Sequence, residues 1–167
     1  MPARSNFPQW QAQMRETQRR YGTALESGVA YMGYYLRDAA REMVPPGAAG
    51  ASRFPGYAAR GSLKQSIIAG PVRKEGDQYR ITVGIDPSAP AIEHIKASVH
   101  EYGMVIRGRP WLIFQIQGEW KKVRRVRITS KRFFRDGVRR GARRFPQIMG
   151  EQIELTLPTE PSRGRRR

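Results

Sequence analysis

The chain has 167 residues, 39% of them apolar, and its 31 Lys and Arg against 14 Asp and Glu give a net charge of +17. This length suits one domain that buries roughly 70% of its unfolded surface, and the lack of cysteine excludes disulfides and thiolate zinc sites. Neither a signal peptide nor an apolar run of about 20 residues is recognisable, so we expect the protein to act in a reducing cytoplasm or in a particle assembled there, without membrane contact.

The first predicted element is a long amphipathic helix from about residue 8 to residue 43. Its apolar residues recur at steps of three and four, namely Phe7, Trp10, Met14, Tyr21, Leu25, Val29, Met32, Leu36, Ala39 and Met43. At 1.5 Å per residue the helix spans roughly 50 Å, longer than a small domain is wide. We therefore expect it to overhang its own sheet, with the stripe packed either on a neighbouring subunit or wholly on its own core.

A Pro- and Gly-rich loop is predicted over residues 45–60, because the segment is aperiodic and rich in small residues. Phe54 and Tyr57 are unusual in such a loop. We interpret it as a docking loop that these two side chains anchor to a partner. The alternative is that they fold back on the core.

Two antiparallel hairpins are predicted next. The first turns within 74–78 and continues as a strand over 79–85, where apolar and polar residues alternate. A helix with apolar residues at 92, 95 and 99 stops at Gly103. The second hairpin, 111–117 and 120–128, turns at Gly118.

The last predicted helix begins near Lys131, and Pro146 should kink or break it. Phe134 and Phe145 are predicted on its buried face, with Trp111 or Phe114 opposite them. These elements predict an α+β fold in which a small antiparallel sheet of about four strands packs with a long N-terminal helix and a C-terminal helix.

Residues suited to catalysis are scarce. The two histidines, His94 and His100, do not share a helix face, and no nucleophile accompanies the neighbouring Glu101. No Gly-rich loop with a nucleotide-binding pattern is present. We therefore expect no enzyme activity, no cofactor and no metal.

Positive charge is the stronger signal. Between Met104 and Pro146 fourteen Lys and Arg face only Glu119 and Asp136, so this segment carries +12 of the net +17. The charge indicates a nearby polyanion, acidic protein partners, or simply a soluble surface. The residues expected to face DNA or a partner are Arg124, Arg125, Arg127, Arg139, Arg140, Arg143 and Arg144, and we expect the aromatic residues here to lie mostly on apolar faces.

Three short motifs resemble a known family. Residues 60–67 (RGSLKQSI) are similar to a loop of the kind Pro-x-Asp-Thr-Gly-x-Leu-x-x-Ser-Ile, although Asp-Thr is replaced by Ala-Arg. Residues 83–84 (VG) and 99–103 (VHEYG) are similar to a strand ending in Val-Gly and a helix ending in Val-Glu-Phe-Gly. Residues 131–134 (KRFF) stand where the family has a motif like Arg-Pro-Phe-Leu. The motif residues are Gly61, Leu63, Ser66, Glu101, Tyr102, Gly103, Phe133 and Phe134.

In this order the motifs resemble the neck and tail-completion (head-tail joining, minor tail component) proteins of long-tailed bacteriophages, over about residues 10 to 155. The resemblance implies a structural virion protein that forms a ring, typically of six subunits, between the head-closure (connector) ring and the tail terminator and tail tube. Viral DNA would pass through the channel without sequence-specific contacts. Residues 1–157 would form the domain and 158–167 a flexible basic tail. The alternatives are the tail terminator of the same virion and a free cytoplasmic nucleic-acid-binding protein.

Overall fold

Eleven helices and strands make up the part of the chain that the computed structural model describes, residues 7–45, 62–116 and 118–157. Their mixture of long helices and short antiparallel strands confirms the α+β class. In chain order they are α1 (Phe7–Glu42), α2 (Ser62–Ser66), β1 (Ile67–Ala69), β2 (Arg73–Glu75), β3 (Gln78–Arg80), β4 (Val83–Ile85), α3 (Ala91–Tyr102), β5 (Met104–Ile116), β6 (Glu119–Ile128), α4 (Phe133–Ala142) and α5 (Phe145–Thr156).

Helix α1 is the scaffold on which most other elements pack. Its C-terminal two thirds contacts α5, α4 and β1 through small buried residues such as Ala24, Gly28 and Ala40. The first turns leave Phe7, Trp10 and Met14 exposed. The predicted overhang of the helix is therefore confirmed.

The contact between α1 and α4 is close because both helices present small residues. A side-chain Cβ built on Gly137 would lie 2.7 Å from the Cα of Ala40, which no real contact allows. A Cβ on Gly141 would instead meet the end of the Leu36 side chain, at 2.7 Å. Glycine at position 137 lets the helix backbones approach, although it lowers the intrinsic helix propensity of α4.

The core lies between the C-terminal end of α1, the α2–β1 segment and the start of α4. Ala40, Leu63, Ile67 and Phe133 are fully buried together. Around them pack the half-buried residues Val44, Val83, Ile85, Ala97 and Phe134.

The antiparallel strands form three separate two-stranded pairs, β1 with β4, β2 with β3, and β5 with β6, and not one sheet of about four strands. The predicted strand over 79–85 is divided between β3 and β4, which belong to different pairs. The turn between β2 and β3 falls at Gly76 and Asp77, inside the predicted 74–78 turn. Helix α3 ends before Gly103, as predicted. The second hairpin is longer than expected, since β5 already begins at Met104.

The predicted core of the last helix is wrong in its details. Phe133, not Phe134, is the fully buried residue, whereas the Phe145 side chain is 46% exposed. Trp111 and Phe114 do not lie opposite this helix, because the β5–β6 hairpin does not pack along α4. The predicted break is confirmed: the helix ends at Ala142, and Pro146 occupies the first turn of α5, where a missing N–H is tolerated.

Among the described helices, none is long and apolar enough to cross a membrane.

Candidate functional site

The β5–β6 hairpin carries half of the fourteen Lys and Arg of the basic segment and stands away from the core. Its strands pair from Met104 opposite Ile128 to Ile116 opposite Glu119 and pack chiefly against each other. Within the described chain no third strand joins either edge. An isolated two-stranded hairpin is marginally stable at best in water, so this ribbon should gain stability from a partner.

An irregularity in β5 divides the hairpin. Arg107 pairs with Arg125 and Leu112 with Val123, so residues 108–111 lie opposite the single residue Arg124. Such bulges bend a strand and redirect its side chains. Trp111 is the last residue of this irregular segment.

One face of the hairpin combines tryptophans with cations. Trp111 lies beneath both Lys122 and Arg124, whose Nζ and guanidinium carbon are each 5.0 Å from the centre of its ring system. Because alternate residues of a strand share a face, Trp120 points to the same side as Lys122 and Arg124. We call this surface, formed by Trp111, Ile113, Trp120, Lys122 and Arg124, the tryptophan face.

The tryptophan face is open to solvent. Trp111 is 40% exposed, Ile113 65% and Trp120 70%. The expectation that aromatic residues of the basic segment lie mostly on apolar faces is therefore wrong here, although it holds for Phe133. Trp111, Trp120 and Lys122 are not among the candidate site residues predicted from the sequence. The period-two pattern of Trp120, Lys122 and Arg124 is the signal that indicates them, because a strand face that alternates tryptophan with cations is not suited to a core.

The opposite face of the hairpin concentrates positive charge. Arg107 lies directly across from Arg125, and the next pair places Val105 across from Arg127. Like charges directly opposite each other destabilise a ribbon. Among the described residues, Glu119 pairs with Lys121 at 2.6 Å, and no other carboxylate contacts a hairpin cation. A polyanion here would offset the repulsion.

The second basic surface follows the α4–α5 junction. Arg139, Arg140, Arg143 and Arg144 are all exposed, as expected from a helix whose glycines and Phe133 face inward. Arg144 also lies over the ring of Tyr35, 5.6 Å from its centre. The predicted basic residues therefore fall in two regions that do not pack along each other, the hairpin and the α4–α5 junction. Within the hairpin, Arg124 lies on the tryptophan face and Arg125 and Arg127 lie on the opposite face.

The VHEYG motif has a structural role at the base of the hairpin. Helix α4 begins after Arg132, which adopts a left-handed conformation (φ 48°) and provides no side-chain cap. The Glu101 carboxylate caps the helix instead, accepting hydrogen bonds from the backbone N–H of Phe134 (2.9 Å) and of Arg135 (3.3 Å). Gly103 has φ 79°, and a Cβ there would lie 2.9 Å from the carbonyl oxygen of Ile128. Tyr102 points into solvent.

The surroundings of His100 lower its pKa. Burial lowers its pKa, and the nearby charges of Lys131 and Lys96 lower it further. Its Nδ1 atom is buried without a hydrogen-bond partner. The backbone carbonyl of His100 accepts a 2.7 Å hydrogen bond from the N–H of Lys131, so the residue helps join α3 to the chain that enters α4.

The remaining motif residues also serve the fold where the structure describes them. Leu63 lies in the core with Phe133. The carbonyl of Ser66 accepts a hydrogen bond from the N–H of Asp86 at 2.7 Å, and Phe134 packs edge-on against Phe133 with ring centres 6.4 Å apart. Gly61 and the docking-loop residues Phe54 and Tyr57 lie outside the described residues.

Helix α1 offers an apolar surface at its free end. Phe7 and Trp10 stack on each other with ring centres 6.0 Å apart, and both are exposed. Met14 and Tyr21 continue this exposed stripe one and three turns further along. We call these four side chains the α1 stripe.

No cluster of three or more acidic, histidine or cysteine side chains that could hold a metal ion occurs in the described ranges. Comparison with known proteins finds no matching family model, no matching curated protein and no matching solved structure. The resemblance described above therefore rests on its short motifs and their order alone.

Proposed function

We propose that this chain is a structural protein of the head-tail connector, or neck, of a long-tailed bacteriophage. It would form a ring that joins the head-closure ring to the tail and surrounds the DNA channel. The observation that carries the proposal is the free-standing basic hairpin. Its faces and edges are open among the residues that the structure describes, as expected of an element that completes its packing in an assembly.

The α1 stripe supports an assembled state independently. Large exposed apolar side chains that lie together, rather than singly, mark interaction surfaces. Phe7, Trp10, Met14 and Tyr21 lie along one end of a helix whose other end is well packed. A neighbouring subunit or an adjacent ring would cover this end.

The roles of the motif residues support a shared fold rather than a shared reaction. Leu63 and Phe133 fill the core, Glu101 caps α4, and Gly103 allows the tight turn into β5. These roles explain why motifs far apart in the sequence occur together. They involve no nucleophile and no acid–base pair.

In the proposed mechanism the chain acts by assembly. Subunits would associate through the α1 stripe, and the two basic surfaces would face DNA or acidic ring surfaces. Contacts of Lys and Arg with phosphates release counterions, so they are strong at low salt and blind to sequence. Within a channel the DNA is held at high local concentration, so each subunit would not need a high affinity for it.

Electron microscopy of purified phage particles tests the proposal. A ring of this chain between head and tail is expected, and its absence from the particle would refute the assignment. The variant with Arg139, Arg140, Arg143 and Arg144 all changed to Ala should fold normally but reduce the yield of infectious particles. Normal infectivity of this variant would show that the basic surface at the α4–α5 junction has no role in the mechanism. It would not test the ring, which microscopy tests.

A free nucleic-acid-binding protein is the second candidate, and the exposed tryptophan face favours it. A dedicated binder would show specific affinity about a thousandfold or more above its non-specific level. A neck subunit requires no such selectivity. Tight sequence-selective binding by the isolated chain at physiological salt would therefore replace the neck proposal.

A further inference from the structure

We propose that the tryptophan face of the β5–β6 hairpin binds single-stranded nucleic acid. Two of the chain's three tryptophans lie on this one face, and both are substantially exposed. Cations that follow a phosphate backbone beside aromatic rings that stack on bases form the usual surface for single strands. This binding does not require ring formation, so it is independent of the neck proposal.

Charge argues against a second copy of the chain as the occupant. A second hairpin would bring its own Lys122 and Arg124 onto this face, and the hairpin as a whole carries seven Lys and Arg against Glu119 alone. The α1 stripe of a second copy would not supply negative charge to this face either, because Arg15, Arg19 and Arg20 outnumber Glu16 along that part of the helix. Electrostatic complementarity requires a partner rich in negative charge.

The exposed indoles favour single strands over duplex DNA. In a duplex the base faces are covered by their neighbours, and phosphates contact cations without needing an aromatic ring. In a single strand every base has a face that stacks on an aromatic side chain, worth about fivefold to a hundredfold in affinity per ring. Trp120 is the more available platform, since Trp111 already has Lys122 and Arg124 against its ring.

The spacing on the hairpin suits several nucleotides. Trp111 contacts both Lys122 and Arg124, so it lies about three strand residues from Trp120, or roughly 10 Å at 3.4 Å per residue. Lys122 and Arg124 stand between and beside the two rings. A strand laid along the ribbon would therefore meet ring and cation in alternation.

The test uses the full chain and a fluorescein-labelled 20-mer of thymidylate, with fluorescence anisotropy as the readout at low and physiological salt. Trp120→Ala should weaken binding about fivefold to a hundredfold, and Trp120→Phe should restore part of the loss because it retains an aromatic ring. Tyr31→Ala is the matched control, as it removes an exposed aromatic ring from α1 outside the α1 stripe. Circular dichroism verifies that each variant is folded.

The outcomes separate the possible occupants. Loss of affinity in Trp120→Ala, rescue by Phe, no effect in Tyr31→Ala and weaker competition by the duplex of the same sequence would support the proposal. Equal affinities of wild type and Trp120→Ala would overturn it, even if changing Lys122 and Arg124 to Ala abolished binding, because charge alone would then explain the interaction. Absence of oligonucleotide binding at low salt would also overturn it and favour an acidic protein surface as the occupant.

Discussion

Replacing Glu101 with alanine tests how the hairpin base and helix α4 are held together. The carboxylate is only 10% exposed and accepts hydrogen bonds from the backbone N–H of Phe134 and Arg135. Loss of an N-cap costs about 1 kcal/mol and up to about 2, and hydrogen bonds to a charged group contribute about 1.5–3 kcal/mol each. The ion pair with Arg135 spans 3.9 Å with a largely exposed guanidinium, so it adds little.

We expect Glu101→Ala to lower the free energy of unfolding by about 2–3 kcal/mol, because the 3.3 Å bond to Arg135 is the weaker of the two. For a chain of this size each kcal/mol shifts the melting temperature by about 2–4 °C. The midpoint should therefore fall by about 4–12 °C in a thermal melt followed by circular dichroism. Glu101→Gln keeps one acceptor oxygen without the charge and should lose about half as much.

Glu154→Ala supplies the matched control, since Glu154 is an exposed helical residue of α5. Alanine is the best helix former, so this change should stay within about 0.5 kcal/mol. If Glu101→Ala melted together with Glu154→Ala and the wild type, the cap would contribute nothing. The proposed structural role of the VHEYG motif would then be wrong.

Two further predictions concern the core and the pH dependence. Phe133→Ala should lower the free energy of unfolding in urea by about 3–5 kcal/mol, whereas Phe145→Ala, at an exposed position, should lower it by less than about 1 kcal/mol. A larger loss in Phe145→Ala than in Phe133→Ala would show that Phe145 is the buried residue and Phe133 the exposed one. Because the pKa of His100 is lowered in the folded state, the unfolded chain binds more protons as the pH falls toward and below about 6.5, so stability should decline between pH 7.5 and 5.5. His100→Gln should flatten that decline and the exposed His94→Gln should not; identical slopes in the two variants would refute the assignment to His100.

Elements marked by local signals could be predicted from the sequence. The apolar spacing along α1, the stop at Gly103 and the break near Pro146 each depend on residues within one or two turns of the feature itself. The turn at Gly76 is of the same kind, as its positive φ (61°) suits glycine. These features are all present in the structure.

The identity of the buried phenylalanine could not be predicted in this way. Phe133 and Phe134 are adjacent, and which of them faces the core depends on the residue at which α4 begins. That start is set by the Glu101 carboxylate, which lies in another helix. Because the cap is a tertiary contact, the periodicity of the last helix alone could not reveal it.

The orientation of the hairpin escaped prediction for a related reason. In β6 cations and a few apolar residues occur on both faces of the strand. The pattern therefore does not indicate which face packs on the core. We assumed that its aromatic residues would be covered by the domain. The structure leaves Trp111 and Trp120 uncovered, and this exposure is what makes the hairpin a candidate site.

Stability and binding are coupled at this hairpin. Its two edges are open within the described chain, and Arg107 lies opposite Arg125, so the isolated ribbon lacks packing and suffers charge repulsion. A polyanion would relieve the repulsion and bind the formed ribbon more tightly than the unfolded chain, because the ribbon holds these cations together. By mass action such a ligand stabilises the folded hairpin in proportion to RT ln(1 + [L]/Kd). The features that weaken the hairpin in the free chain are therefore the same ones that would make its order depend on a nucleic acid or an acidic neighbour.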